Sequence, residues 1–201
     1  MSERQPKKER SDAARNRRAI LDATDALLSA SGSEHVSIDE IAAAAGVGKG
    51  TIFHRFGSRA ELMRELVRER ALTLRDAVTD GEPPLGPGAP APERLLAYFD
   101  AMFRLIVDNV ELMIAYDNST SEAQEDEINV FWARHIAALL AEARPDVDAP
   151  VLGRLLLGTL NPDVVLQHIR AGQTDRLAQA LRHLVASVVG EPPTATSRRT
   201  T

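Results

Sequence analysis

The sequence predicts an all-α protein of about nine helices, an N-terminal three-helix head followed by a larger helical body. Apolar residues recur at helical spacing through almost the whole chain, and no stretch alternates convincingly as a strand. One long interruption, TDGEPPLGPGAPAP at 79–92, is too rich in proline and glycine to be helix or strand, and it is read as the linker between the two parts.

In the head, Ile20, Ala23, Leu27 and Leu28 line one face of a helix expected from about Arg15, with Gly32 as its stop. Ser37 is a good N-cap for the next helix, and Glu40 three residues on completes a capping box. That helix should stop at Gly46. A second short helix should run from about Gly48 to Phe56, with Gly57 and Ser58 leading into a longer helix that carries Leu62 and Leu66 to about Val78.

In the body, Leu95, Leu96, Phe99, Met102, Phe103, Ile106, Val107 and Val110 form one stripe, with a break allowed near Asn109. Ile128, Phe131, Trp132, His135, Ile136, Leu139 and Leu140 form a second, closed by Pro145. Leu152 to Ile169 form a third that Pro162 is expected to kink. Leu177, Leu181, Leu184 and Val188 form the last, ended by Gly190 and Pro192. The expected division is a flexible basic arm at 1–14, a head at 15–60, a body at 61–190 and a disordered tail at 191–201.

Composition narrows the function. The 201 residues contain no cysteine, which excludes disulfides and thiolate metal sites and suits a reducing cytoplasm. The charged start MSERQPKKER has no apolar stretch behind it and is not expected to be a signal peptide. The segment VLGRLLLGTL is interrupted by Arg154 and too short to span a bilayer. The net charge of −5 hides an asymmetry: residues 1–70 hold 13 Lys and Arg against 11 Asp and Glu, while the remainder holds 11 against 18. Any phosphate contact therefore belongs in the head, although charge alone equally fits a solvated, disordered basic tail.

The stretch GVGKGTIFHRF at 46–56 fits neither a P-loop nor a dinucleotide fingerprint, because Lys49 is followed by Gly50 and the residues upstream are helical. Two short helices joined by a glycine turn, behind a third helix, follow the helix-turn-helix plan. Val47, Ile52 and Phe56 would face inward, leaving Lys49, Gly50, Thr51, Phe53, His54 and Arg55 on the open side. Thr51 and Arg55 are four apart and share a face from which arginine could read a guanine edge. On the residues alone, a DNA reader and a plain helical packing unit both remain open.

VSIDEIAAAAGVGKGTIFHRFGSRAEL, with the preceding RNRRAILDAT, resembles the DNA-binding head of the tetracycline-repressor-like (TetR/AcrR) family of bacterial transcriptional regulators over roughly residues 15–65. The body resembles that family only in length and helix pattern. The resemblance implies that Lys49, Gly50 and Thr51 open the recognition helix, that His54 and Arg55 read bases, and that Arg59 and Ser37 touch the phosphate backbone. Phe53 stands where the family usually has tyrosine and Gly48 where it has serine, so grip at that end should lean on Lys49 and Arg59. It further implies a cytoplasmic homodimer held by the last long helices through Leu177, Leu181, Leu184 and Val188. The DNA partner would be a palindromic operator, released when a small molecule enters the body and shifts the linking helix at 58–78. Phe99, Met102, Phe103, Met113, Tyr116, Phe131, Trp132 and His135 are the expected pocket walls, suited to an apolar or aromatic effector.

His135 interrupts its stripe and reads either as a hydrogen-bonded core residue or as a polar group in that pocket. No cofactor and no metal is expected: His-Glu-x-x-His and Glu-x-x-His are absent, and Asp163 and His168 need not share a helix face. A helical enzyme would need a nucleophile with a base or paired carboxylates, for which there is no local motif. A nonspecific DNA-coating protein is disfavoured by the acidic body. The expectation is a ligand-responsive repressor without enzymatic activity.

Overall fold

The computed structural model describes residues 5–31, 36–116 and 122–190; within them, the side chains of 5–12, 31, 111, 114–116 and 122–126 lie outside the description. The described residues form nine helices and no strand: α1 (Gln5–Ser31), α2 (Ile38–Ala45), α3 (Lys49–Phe56), α4 (Arg59–Asp80), α5 (Ala91–Tyr116), α6 (Glu122–Ala143), α7 (Ala149–Gly158), α8 (Pro162–Arg170) and α9 (Thr174–Val189). The chain divides into two compact units, Met1–Arg70 with Glu111–Asn118, and Ala71–Val110 with Ser119–Thr201.

The first unit is built on one core. Ile20, Leu21 and Leu28 of α1 meet Ile38, Ile41 and Ala42 of α2, Ile52 and Phe56 of α3, Leu62, Met63 and Leu66 of α4, and Leu112 of α5. Charge pairs tie α1 to α4 at the rim. Arg17 pairs with Glu65 and reaches Glu69 at 2.9 Å, and Arg70 pairs with Asp25. Thr24, fully buried in α1, donates to the Ile20 carbonyl at 2.7 Å and so spends its hydroxyl within its own helix.

In the second unit the buried stripe of α5 includes Leu95, Tyr98, Phe99, Met102, Phe103 and Ile106, and that of α6 includes Trp132, Ile136, Leu139 and Leu140. α7 packs on α6. Their approach depends on Gly153: a Cβ there would lie 3.3 Å from Ile136 Cγ2 and 3.5 Å from the Ala137 nitrogen. At the end of α6, Arg144 forks onto Asp146 and donates to the Val188 carbonyl at 2.8 Å, closing the C-terminus of α9 with a cation.

Several boundaries differ from those the sequence suggests. α1 begins at Gln5, not near Arg15, so most of the arm expected at 1–14 is helix. Pro6 falls in the first turn, where its missing N–H costs nothing, and good helix formers follow it. α5 passes through Asn109 unbroken, because the buried side chain donates back to the Leu105 carbonyl at 2.6 Å. Pro162 does not kink one helix but starts a second. Asn161 caps α8 by accepting from the amides of Asp163 and Val164, and Pro162 takes the first helical position. The non-helical linker is 81–90, and the division between the units falls within α4, after Arg70. Gly32 and the tail at 191–201 lie outside the described residues.

Gly153→Leu should lower stability by about 1–3 kcal/mol through overpacking of α6 on α7. Gly158→Ala, with nothing within 4 Å of the new Cβ, should be neutral or stabilising. Thermal unfolding of the two variants checks this, and equal loss in both would show that helix spacing does not depend on Gly153.

Candidate functional site

The turn between α2 and α3 is fixed by backbone chemistry. Gly46 sits at φ +66°, a conformation that side chains disfavour, and it ends α2. Its N–H donates to the Ala43 carbonyl at 3.2 Å while Val47 N–H reaches Ala42 at 3.0 Å, the Schellman pairing that satisfies two helix-end carbonyls. Val47 packs against the core and aims the chain into α3. At the other end of α2, Ser37 and Glu40 form the reciprocal capping box that the sequence predicts. The Ser37 amide and then its hydroxyl hold the Glu40 carboxyl below its usual range.

α3 buries one face and presents the other. Ile52 is fully buried and Phe56 nearly so. Full burial of such side chains stabilises by about 1.5–3 kcal/mol each. Lys49, Gly50, Phe53 and His54 are exposed, and Phe53 keeps 42% of its surface accessible, which is high for an aromatic ring. Thr51 and Arg55, one turn apart, are half-buried, and Arg55 Nε is buried without a hydrogen-bond partner. Gly48 starts the helix with no side-chain cap; the Thr51 N–H donates to the Gly48 carbonyl at 2.8 Å, which leaves the amides of Lys49 and Gly50 as the open ones of the first turn.

The remaining head residues have local partners. Lys49 reaches Asp39 across 3.0 Å on the surface, an exposed pair of little energetic weight. Arg59 donates from Nε and Nη2 to the Val36 carbonyl at 3.3 and 3.1 Å, so it also braces the segment leading into α2. Ser37 is exposed although its hydroxyl serves the cap.

The expected pocket walls are only partly brought together. Phe131, Trp132 and His135 of α6 join Tyr98 and Phe99 of α5 in one aromatic group. Phe131 lies stacked on His135 at 6.0 Å and 9°, and Tyr98 lies 5.4 Å from Trp132 and 5.6 Å from His135. Met102 and Phe103 are buried on the same helix. Met113 falls in the first unit, and the side chain of Tyr116 lies outside the described residues. Tyr98, fully buried beside the tryptophan, is absent from the expected walls, although its position three residues after Leu95 places it on the same stripe.

Of the expected dimer residues, Leu181 is buried in the protomer's own core, Leu177 and Val188 are half-buried, and Leu184 is 43% exposed. Among the described residues no three His, Asp or Glu side chains cluster as metal ligands, and no helix is long and apolar enough to cross a membrane.

Residues 20–66 match the model of the bacterial regulatory proteins of the tetR family. No curated protein matches the chain. Among solved structures, a TetR transcriptional regulator from Streptomyces coelicolor is 22% identical over 86% of this chain and 97% of its own, with a TM-score of 0.58. A transcriptional regulator from Rhodococcus sp. Rha1 is 21% identical over 88% and 95%, also with a TM-score of 0.58. A TetR-like regulator from Rhodococcus sp. RHA1 is 21% identical over 88% and 97%, at 0.55. The head at residues 20–66 thus matches the tetR family of bacterial regulatory proteins, and the all-helical chain as a whole shares the fold of these solved regulators.

Proposed function

We propose that the protein is a homodimeric repressor that reads a near-palindromic operator through α3 and leaves it when a small, largely apolar molecule enters the second unit. The observation that carries the reading is the outward face of α3. The open amides of Lys49 and Gly50 at its start, with the Lys49 and Thr51 side chains beside them, suit phosphate, while His54 and Arg55 lie a turn further along where base edges would be met. Phe53, without a hydroxyl, offers an apolar ring for a thymine methyl or sugar, and Arg59, bonded to the Val36 carbonyl, lies close to Ser37 at the start of α2. The aromatic group around Trp132 supports an effector site in the second unit. Linkage requires that the effector bind the DNA-free state more tightly, by about 1–3 kcal/mol in a typical case, and that DNA weaken the effector by the same factor.

For the homodimer, the support is apolar surface on the last helices. Val164 of α8 and Leu184 of α9 are exposed at 40% and 43%, beside exposed Ala180. A second copy would cover them, as closed two-fold interfaces do.

Selection of genomic fragments followed by footprinting tests the reading. Protected near-palindromes with half-site centres roughly 34–36 Å apart, or a multiple, are expected; uniform coverage points to a coating protein, and no binding removes the reading. Arg55→Ala should cost about 1–3 kcal/mol and relax preference at one base pair per half-site, whereas an equal loss on every sequence would reduce Arg55 to a phosphate contact. Leu184→Arg should give monomers by light scattering with the helical content intact, because the residue is exposed in the protomer and in the proposed dimer would be buried only between copies. An unchanged dimer would place the interface elsewhere.

A further inference from the structure

Among the described residues of the second unit, three buried side-chain atoms have no hydrogen-bond partner: Arg94 Nε, Tyr98 Oη and His135 Nε2. They belong to one cluster. Arg94 and Tyr98 are neighbours one turn apart on α5. The Tyr98 ring centre lies 5.6 Å from that of His135, and the Arg94 charge acts on the imidazole. Folding takes such groups from water at a cost, so native interiors leave only a few of them unmatched. Here three fall together, two of them within the aromatic group of α5 and α6.

Their chemistry selects the missing partner. Arg94 brings a fixed positive charge. Its Nη2 is anchored on the Val78 carbonyl at 3.3 Å, and no carboxylate among the described residues pairs with it. Arg94 Nε–H and the Tyr98 hydroxyl both donate. Burial and then the Arg94 charge push His135 down to about 4, so near neutrality it is uncharged and Nε2 can carry the single ring proton. A carboxylate supplies one negative charge and enough lone pairs for all three donors. A cation would be repelled by Arg94, and a doubly charged phosphate would face a single counter-charge. Phe99, Phe131 and Trp132 leave only apolar or aromatic surface for the rest of the molecule.

We propose that Arg94, Tyr98 and His135 form a binding site for a monocarboxylic acid with an apolar or aromatic body. The proposal rests on reading the second unit as the ligand-binding part, and it names the ligand class that reading leaves open.

The test uses the full-length protein, with Trp132 fluorescence and titration calorimetry. The probes are the straight-chain acids from butanoate to dodecanoate, phenylacetate and 4-phenylbutanoate, each beside the alcohol of the same skeleton. At least one acid should bind about tenfold or more tightly than its alcohol, the factor expected of one charge-assisted contact. Arg94→Gln and Tyr98→Phe should each weaken that acid about tenfold and leave the alcohol within about twofold. No binding by any acid, equal affinity for acid and alcohol, or variants that weaken both alike would overturn the proposal. Tyr98→Phe should also leave the melting temperature of the ligand-free protein unchanged or raised, because its hydroxyl has no partner to lose. A lowered melting temperature would show the hydroxyl already bonded and would overturn the proposal as well. Operator binding is followed in parallel. An acid that binds as described without releasing DNA supports the site and defeats the release mechanism, so the two readings fail separately.

Discussion

The burial of Ile52 and Phe56 sets the orientation of α3, and the head depends on that orientation. A helix of eight residues gains little from its own hydrogen bonds, since nucleation consumes most of what propagation returns. What holds α3 is the apolar face it shares with α1, α2 and α4. Because residues three and four apart share a face, fixing Ile52 and Phe56 inward also decides which residues look outward. Lys49, Phe53 and His54 are exposed as a direct consequence of core packing on the opposite side. The exposed face of α3 is thus a by-product of burial, and the charge pairs of Arg17 and Arg70 stiffen a scaffold already chosen by the hydrophobic effect.

This is why the head was so legible in the sequence. A capping box, a glycine at a left-handed helix end and apolar residues at 3.6-residue spacing are local signals, each with one physical solution. The misjudged features were those in which a residue's usual preference was overridden by its surroundings. Pro162 breaks a helical pattern in either role, and only the Asn161 cap shows that a new helix begins there. Asn109 disfavours a helix interior until its amide finds the Leu105 carbonyl. Leu177, Leu181, Leu184 and Val188 form one stripe on paper. Which of them faces the protomer and which faces outward depends on the curvature of neighbouring helices, which periodicity does not contain.

The aromatic group shows the same limit from another side. Stripe analysis marks Phe99, Trp132 and His135 as inward, but it treats tyrosine as one more large residue. Tyr98 stands apart because of its hydroxyl atom, buried with nothing to bond. Such an atom is visible only in three dimensions, since hydrogen-bond satisfaction is a property of neighbours rather than of spacing.

Gly48 carries a consequence of a different kind. With no side-chain oxygen at the start of α3, the first turn has a smaller barrier to fraying than one closed by serine, and glycine widens the range of conformations it visits when open. In the proposed complex, ordering that turn would be part of what association with DNA accomplishes, because phosphate oxygens would complete the amides of Lys49 and Gly50. The entropy lost in doing so is the same for every duplex. It would lower general affinity and leave differences between sequences intact, which would shorten residence on wrong sites and favour rapid search.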